Sequence, residues 1–131
     1  LTLRPGKVSQ DIVVPRSRMP HLISFLEQLG EKYQLPIPAF GHAGDGNIHV
    51  NIMLDKGIPK EVENANAAVK DLFGKVIELG GTISGEHGIG LTKAPYMEME
   101  ISTPALELMW RLKNAFDPNG ILNPGKIFPN R

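Results

Sequence analysis

Two short stretches concentrate the residues able to do chemistry. Residues 41–51 read Gly-His-Ala-Gly-Asp-Gly-Asn-Ile-His-Val-Asn, and residues 80–90 read Gly-Gly-Thr-Ile-Ser-Gly-Glu-His-Gly-Ile-Gly. Together they hold three of the four histidines and eight of the fourteen glycines, along with Glu86. His42, His49 and Glu86 would offer two imidazoles and one carboxylate. That donor set suits zinc, manganese or iron and leaves coordination positions open for a substrate. His87 follows Glu86 directly. Neighbours on an extended backbone point to opposite sides, so the expected division of labour gives Glu86 to the metal and leaves His87 beside it as general base. An imidazole suits that task because its ordinary pKa lies near operating pH. A single strand histidine is usually structural; the pair together with the Glu-His of a second glycine-rich loop is what points to a site.

These residues need elements that hold them. Residues 35–40 and 48–54 are apolar runs separated by Ala43-Gly44-Asp45-Gly46, turn chemistry that predicts an antiparallel hairpin. Along its second strand Asn47, His49 and Asn51 share one face, while Ile48, Val50, Ile52 and Leu54 share the other. His42 ends the first strand, so chain reversal brings it back over His49. Ahead of the hairpin, a short β-branched strand is expected over residues 11–15, with no strand signal before about residue 10. A helix is expected over 20–33, with Leu22, Ile23, Phe25, Leu26 and Leu29 inward.

After the hairpin a helix over 60–79 should bury Val62, Ala65, Val69, Leu72, Phe73, Val76 and Ile77 and stop at Gly80-Gly81. A short strand at 82–84 would lead into the Glu-His loop. A last helix over 103–116 is expected to turn Leu108, Met109, Leu112 and Phe116 inward before an extended tail. The glycines around Glu86 also raise a phosphate cradle, but neither a P-loop nor a dinucleotide fingerprint is present. The fold class is α+β: a largely antiparallel sheet with helices on one face and the site on the opposite face or at an edge.

At 131 residues the chain has the length of one domain, and its 41% hydrophobic and 21% charged content is that of a globular protein. Fourteen basic residues balance fourteen acidic ones, which gives no basic footprint for nucleic acid or an anionic membrane. No cysteine is present, so disulfides and thiolate metal sites are excluded. No apolar run approaches the roughly 20 residues of a membrane span. A cytoplasmic place, or one peripheral to a membrane, is compatible with that composition. The opening Leu1-Thr-Leu-Arg-Pro-Gly, without Met, suggests a fragment of a longer protein.

Three motifs carry a resemblance: Gly41-His-Ala-Gly-Asp-Gly-Asn-Ile-His49, Ser84-Gly-Glu-His-Gly-Ile-Gly90 and Asp117-Pro-Asn-Gly-Ile-Leu-Asn-Pro-Gly-Lys126. With them, residues 11–128 resemble the carboxy-terminal region of FAD-linked 2-hydroxy-acid oxidases and dehydrogenases, the glycolate oxidase and D-lactate dehydrogenase family. The resemblance implies that His42, His49 and Glu86 bind a divalent metal, that His87 removes the substrate hydroxyl proton, and that Asn51 contacts substrate. It implies that Asn123 and Lys126 return toward the cofactor, FAD, which is bound mainly by a preceding domain with no counterpart in these residues. The family's substrate-binding arginine would likewise fall before Leu1. By itself the chain is then expected to carry neither flavin nor turnover. The partners implied are a small 2-hydroxy acid, the FAD-binding domain of the same polypeptide and electron-acceptor subunits. A branch acting on 2-hydroxyglutarate carries lysine where Ser9 stands, which favours glycolate or lactate. Two other classes also fit these residue types: a metal-dependent hydrolase complete in this chain, and a noncatalytic interaction domain with structural histidines.

Overall fold

The computed structural model describes residues 4–42 and 44–128. Ala43, the first residue of the predicted turn, lies outside them. The elements run β1 (Gly6–Val13), α1 (Met19–Tyr33), β2 (Ala39–His42), β3 (Asn47–Leu54), α2 (Pro59–Glu78), α3 (Met97–Glu100) and α4 (Thr103–Phe116). The three strands form an antiparallel sheet in the order β1-β3-β2. The chain divides between His87 and Gly88 into two compact units.

In the first unit β3 is the axis. Its alternation sends Ile48, Val50, Ile52 and Leu54 to one face, where none is more than 3% exposed. α2 lies against β1 and β3, and α1 lies against α2. The buried stripe of α2 is Ala65, Ala68, Val69, Leu72, Phe73 and Val76; that of α1 is Leu22, Leu26 and Leu29. Val62 and Ile77 are only half-buried, and Ile23 is exposed, because each sits at the edge of its stripe. Both helices open with proline in the first turn, where the missing N–H costs nothing. The helices therefore cover one face of the sheet and leave the other open.

β1 begins at Gly6, well before the expected start. Its extent is set by its partner: Gly6 pairs with Leu54 and Val13 with Asn47, so the strand matches β3 end to end in spite of its polar residues. The expected strand at 82–84 shrinks to a single bridge, Thr82 with Val13. Its position follows from the end of α2. Gly80 turns with φ 76°, and Gly81 passes so close to β1 that a Cβ there would stand 2.2 Å from the Val13 carbonyl oxygen. The loop after α2 is thereby laid along β1, and it turns away after one bridge to wrap around Asp11.

The second unit contains α3 and α4, and α3 is a single turn that periodicity did not suggest. α4 spans the expected residues but has no buried side chain. Leu108, Met109, Leu112 and Phe116 were expected inward, yet they are 59%, 36%, 53% and 84% exposed. The apolar stripe is real; the described residues supply nothing that covers it. Trp110 meets Phe128 edge-on, with ring centroids 5.4 Å apart.

The tail is tied to α4 by Asp117, which is buried. Its carboxylate accepts the N–H groups of Ile121 and Leu122 and pairs with the Lys113 ammonium, which also donates to the Leu122 carbonyl. The Lys113 hydrogen bond, helped by those two N–H groups, holds the Asp117 carboxyl below its ordinary value of 3.8. A depressed folded-state pKa stabilises above the unfolded value and loses that contribution as pH falls through the folded one. The tail should therefore stay anchored down to pH about 4 and loosen below it. An acid titration of Trp110 fluorescence checks this, and Asp117→Asn should remove the transition.

Candidate metal and substrate site

The open face of the sheet is organised across all three strands by one row: Asp11 on β1, His49 on β3 and Phe40 on β2 are direct cross-strand partners. Paired residues share a face, so Asp11 and Phe40 flank the central imidazole. The rings of Phe40 and His49 lie 5.2 Å apart. Two pairs along, and so on the same face, His42 stands opposite Asn47 and meets His49 edge-on, with centroids 6.5 Å apart at 82°. The hairpin turn fixes that offset: the His42 carbonyl accepts the N–H groups of Asp45 and Gly46, and the Asp45 carboxylate accepts that of Asn47. Two pairs the other way, Ser9 donates to the Asn51 side-chain oxygen at 2.7 Å.

The loop after α2 brings the remaining groups. Glu86 Oε1 lies 3.6 Å from His49 Nε2 and 3.7 Å from His87 Nε2. The His87 ring stacks on that of His49 at 5.4 Å and 27°. The expectation that Glu86 and His87 point to opposite sides is thus overturned. It assumed an extended backbone, whereas residues 84–87 bend around a carboxylate and both side chains reach the same imidazole.

That carboxylate belongs to Asp11, which reading by motif missed. Only 1% exposed, it accepts three consecutive backbone N–H groups on Oδ2: Gly85 at 3.0 Å, Glu86 at 2.8 Å and His87 at 2.9 Å. Its other oxygen stands 3.9 Å from His49 Nδ1. A sequence signal did exist. Aspartate is depleted in strands, and here one is set directly before Ile-Val-Val, at a position facing away from the core. The same three bonds answer the phosphate-cradle idea, because the amide groups of the loop already have their anion.

Ligand atoms about 2.1 Å from a tetrahedral ion are about 3.4 Å apart. The His49–Glu86 separation, 3.6 Å, is close to that edge, so this pair has a spacing that a divalent ion accepts. Among the described residues the group of three whose ligand atoms all lie within 4.8 Å of one another is instead Asp11, His49 and His87; it includes neither His42 nor Glu86 of the expected ligand set. His49 is the shared member, with its side chain 16% exposed, while those of Glu86 and His87 are 59% and 63% exposed. Asn123 and Lys126 lie in the second unit, lining a cavity of about 350 Å³ with Trp110, Lys113 and Asp117. Asn123 holds a left-handed backbone, φ 47°.

A small antiparallel sheet with helices on one face and a histidine–carboxylate cluster on the other defines a mixed α/β domain built to present polar groups. The chain belongs to the family described as FAD linked oxidases, C-terminal domain, which matches residues 2–127. It is 45% identical over 126 residues to glycolate oxidase subunit GlcD of Bacillus subtilis, covering 96% of this chain and 27% of that protein. It is 37% identical over 129 residues to a probable mitochondrial D-lactate dehydrogenase of Danio rerio, covering 97% and 26%. With D-2-hydroxyglutarate dehydrogenase of Stutzerimonas stutzeri it shares 41% identity over 122 residues, covering 90% and 26%. The chain therefore spans about a quarter of the relatives it matches. Among solved structures, 4-ethylphenol oxidase from Gulosibacter chungangensis shares the fold, with a TM-score of 0.64 at 20% identity over 95% of this chain and 25% of that one. Among the described residues no helix is long and apolar enough to cross a membrane.

Proposed function

We propose that this chain is the substrate- and metal-binding part of a flavin-dependent oxidoreductase that oxidises a small D-2-hydroxy acid, of the glycolate or D-lactate type, to the 2-oxo acid. The observation that carries the reading is the approach of Glu86 Oε1 to both His49 and His87, at 3.6 and 3.7 Å, on the uncovered sheet face. Family membership supports the flavin. The exposure of Glu86 and His87 supports a site that a further part of the enzyme closes, and this argues against a hydrolase complete in this chain.

In this reading His42, His49 and Glu86 hold a divalent ion, zinc, manganese or iron, which supplies Lewis acidity toward the substrate hydroxyl and carboxylate oxygens. FAD would supply the hydride acceptor, taking the α-hydrogen together with its electron pair. The protein's own groups do the rest. His87 Nε2 takes the hydroxyl proton, and Asn51, held by Ser9, orients the substrate. Asn123 and Lys126 would contact the cofactor. The FAD-binding domain of the same polypeptide and electron-acceptor subunits are the partners, at a cytoplasmic or membrane-peripheral location.

The test is dye reduction by the flavin-loaded full-length protein with glycolate, D-lactate, L-lactate and D-2-hydroxyglutarate. Activity on one of the first two, lost on chelation and restored by a divalent metal, is expected. Turnover on none of the four would sink the reading. His42→Ala and Glu86→Ala should each weaken metal binding by about a hundredfold, measured by calorimetry with zinc.

A further inference from the structure

We propose that Asp11 is a positioning residue for the metal site, coupling the orientation of the His49 ring to the placement of Glu86 and His87; this rests on the metal-binding reading above. The geometry gives one carboxylate two tasks. Oδ2 takes the N–H groups of Gly85, Glu86 and His87, the backbone of the two loop residues that reach His49. Three hydrogen bonds to one ionised oxygen make a stiff anchor, and they leave that oxygen poorly disposed to serve as a ligand itself. Oδ1 faces His49 Nδ1 at 3.9 Å, while Nε2 of the same ring faces Glu86 at 3.6 Å.

A carboxylate beside Nδ1 favours the tautomer that carries its proton there. At 3.9 Å the carboxylate acts on Nδ1 through its charge, and Nε2 is then left with its lone pair on the side of Glu86, as outer groups bias ligating histidines. Packing reinforces the arrangement. Asp11 is 1% exposed, and a Cβ on Gly85 would stand 2.6 Å from Oδ1 and 3.0 Å from the Asn47 side-chain oxygen. Glycine at position 85 is what lets the loop come down onto the carboxylate. The ligand on the strand and the pair on the loop are thus set by the same residue.

Titration of the full chain with cobalt(II), followed by its d–d absorption, tests this. The wild type is expected to bind one ion with well-developed bands. Asp11→Asn keeps an oxygen for the three N–H groups but turns an amide donor toward His49 Nδ1, which favours the wrong tautomer. Gly85→Ala retains the aspartate but sets a methyl against its carboxylate, 2.6 Å from Oδ1, so that loop and carboxylate are forced apart. Each should weaken cobalt binding about tenfold and shift the bands, and Asp11→Ala should weaken it up to about a hundredfold. Circular dichroism reports whether each variant is folded; should Asp11→Ala unfold, the other two variants decide. Wild-type affinity and spectrum in both Asp11→Asn and Gly85→Ala would overturn the positioning role while leaving the metal site standing. A wild-type chain that takes up no cobalt would overturn the metal reading and the positioning role with it.

Discussion

His87→Ala in the flavin-loaded full-length enzyme is expected to lower kcat by roughly 10²- to 10⁴-fold while moving KM much less. A base acts as the O–H bond breaks, so its loss is felt in the transition state and not in the bound ground state. The geometry favours His87 for this role over His49. The His49 ring is enclosed between Asp11 and Phe40, with its side chain 16% exposed, whereas that of His87 is 63% exposed and free to meet a substrate oxygen. The two imidazoles stack at 5.4 Å, so in the proposed reading a hydroxyl held beside His49 would be within reach of His87. His42→Ala and Glu86→Ala should fail differently, by losing the ion, and high metal should restore much of their rate. Steady-state kinetics at saturating metal separate the two. Near-normal kcat in His87→Ala, or a loss that added metal repairs, would remove His87 from the base role.

Much of the arrangement was legible because periodicity and turn chemistry are local. The alternation from Asn47 to Leu54 and the glycine-rich turn before it define the hairpin, and with it the face that carries His42, His49 and Asn51. What was not legible depends on partners distant in sequence. β1 extends back to Gly6 because β3 offers a pairing edge there, which no property of Lys7 or Ser9 announces. Glu86 and His87 converge because a carboxylate 75 and 76 residues earlier gathers their amide groups. An extended backbone is the default for such a loop until that anchor is known. The α4 stripe shows the limit in another form. A period of 3.6 says which side chains would face a neighbour, but it does not say that the neighbour is present in these residues.

The same contrast yields the second large effect. Phe73→Ala should cost about 3–5 kcal/mol, because the ring on α2 is fully buried and its removal leaves a cavity that close-packed neighbours cannot collapse to fill. Leu112→Ala removes a side chain of equal standing in the hydrophobic pattern, yet Leu112 is 53% exposed, so the change should stay within about 0.5 kcal/mol. Denaturant unfolding of the 131-residue chain, followed by far-UV circular dichroism, compares them directly. A small shift for Phe73→Ala would mean that α2 does not bury its Leu72–Phe73 face, and the support of the His49 strand would have to be sought elsewhere. A shift of several kcal/mol for Leu112→Ala would mean that the α4 stripe is covered within this chain, and the second unit would then need a different packing from the one described.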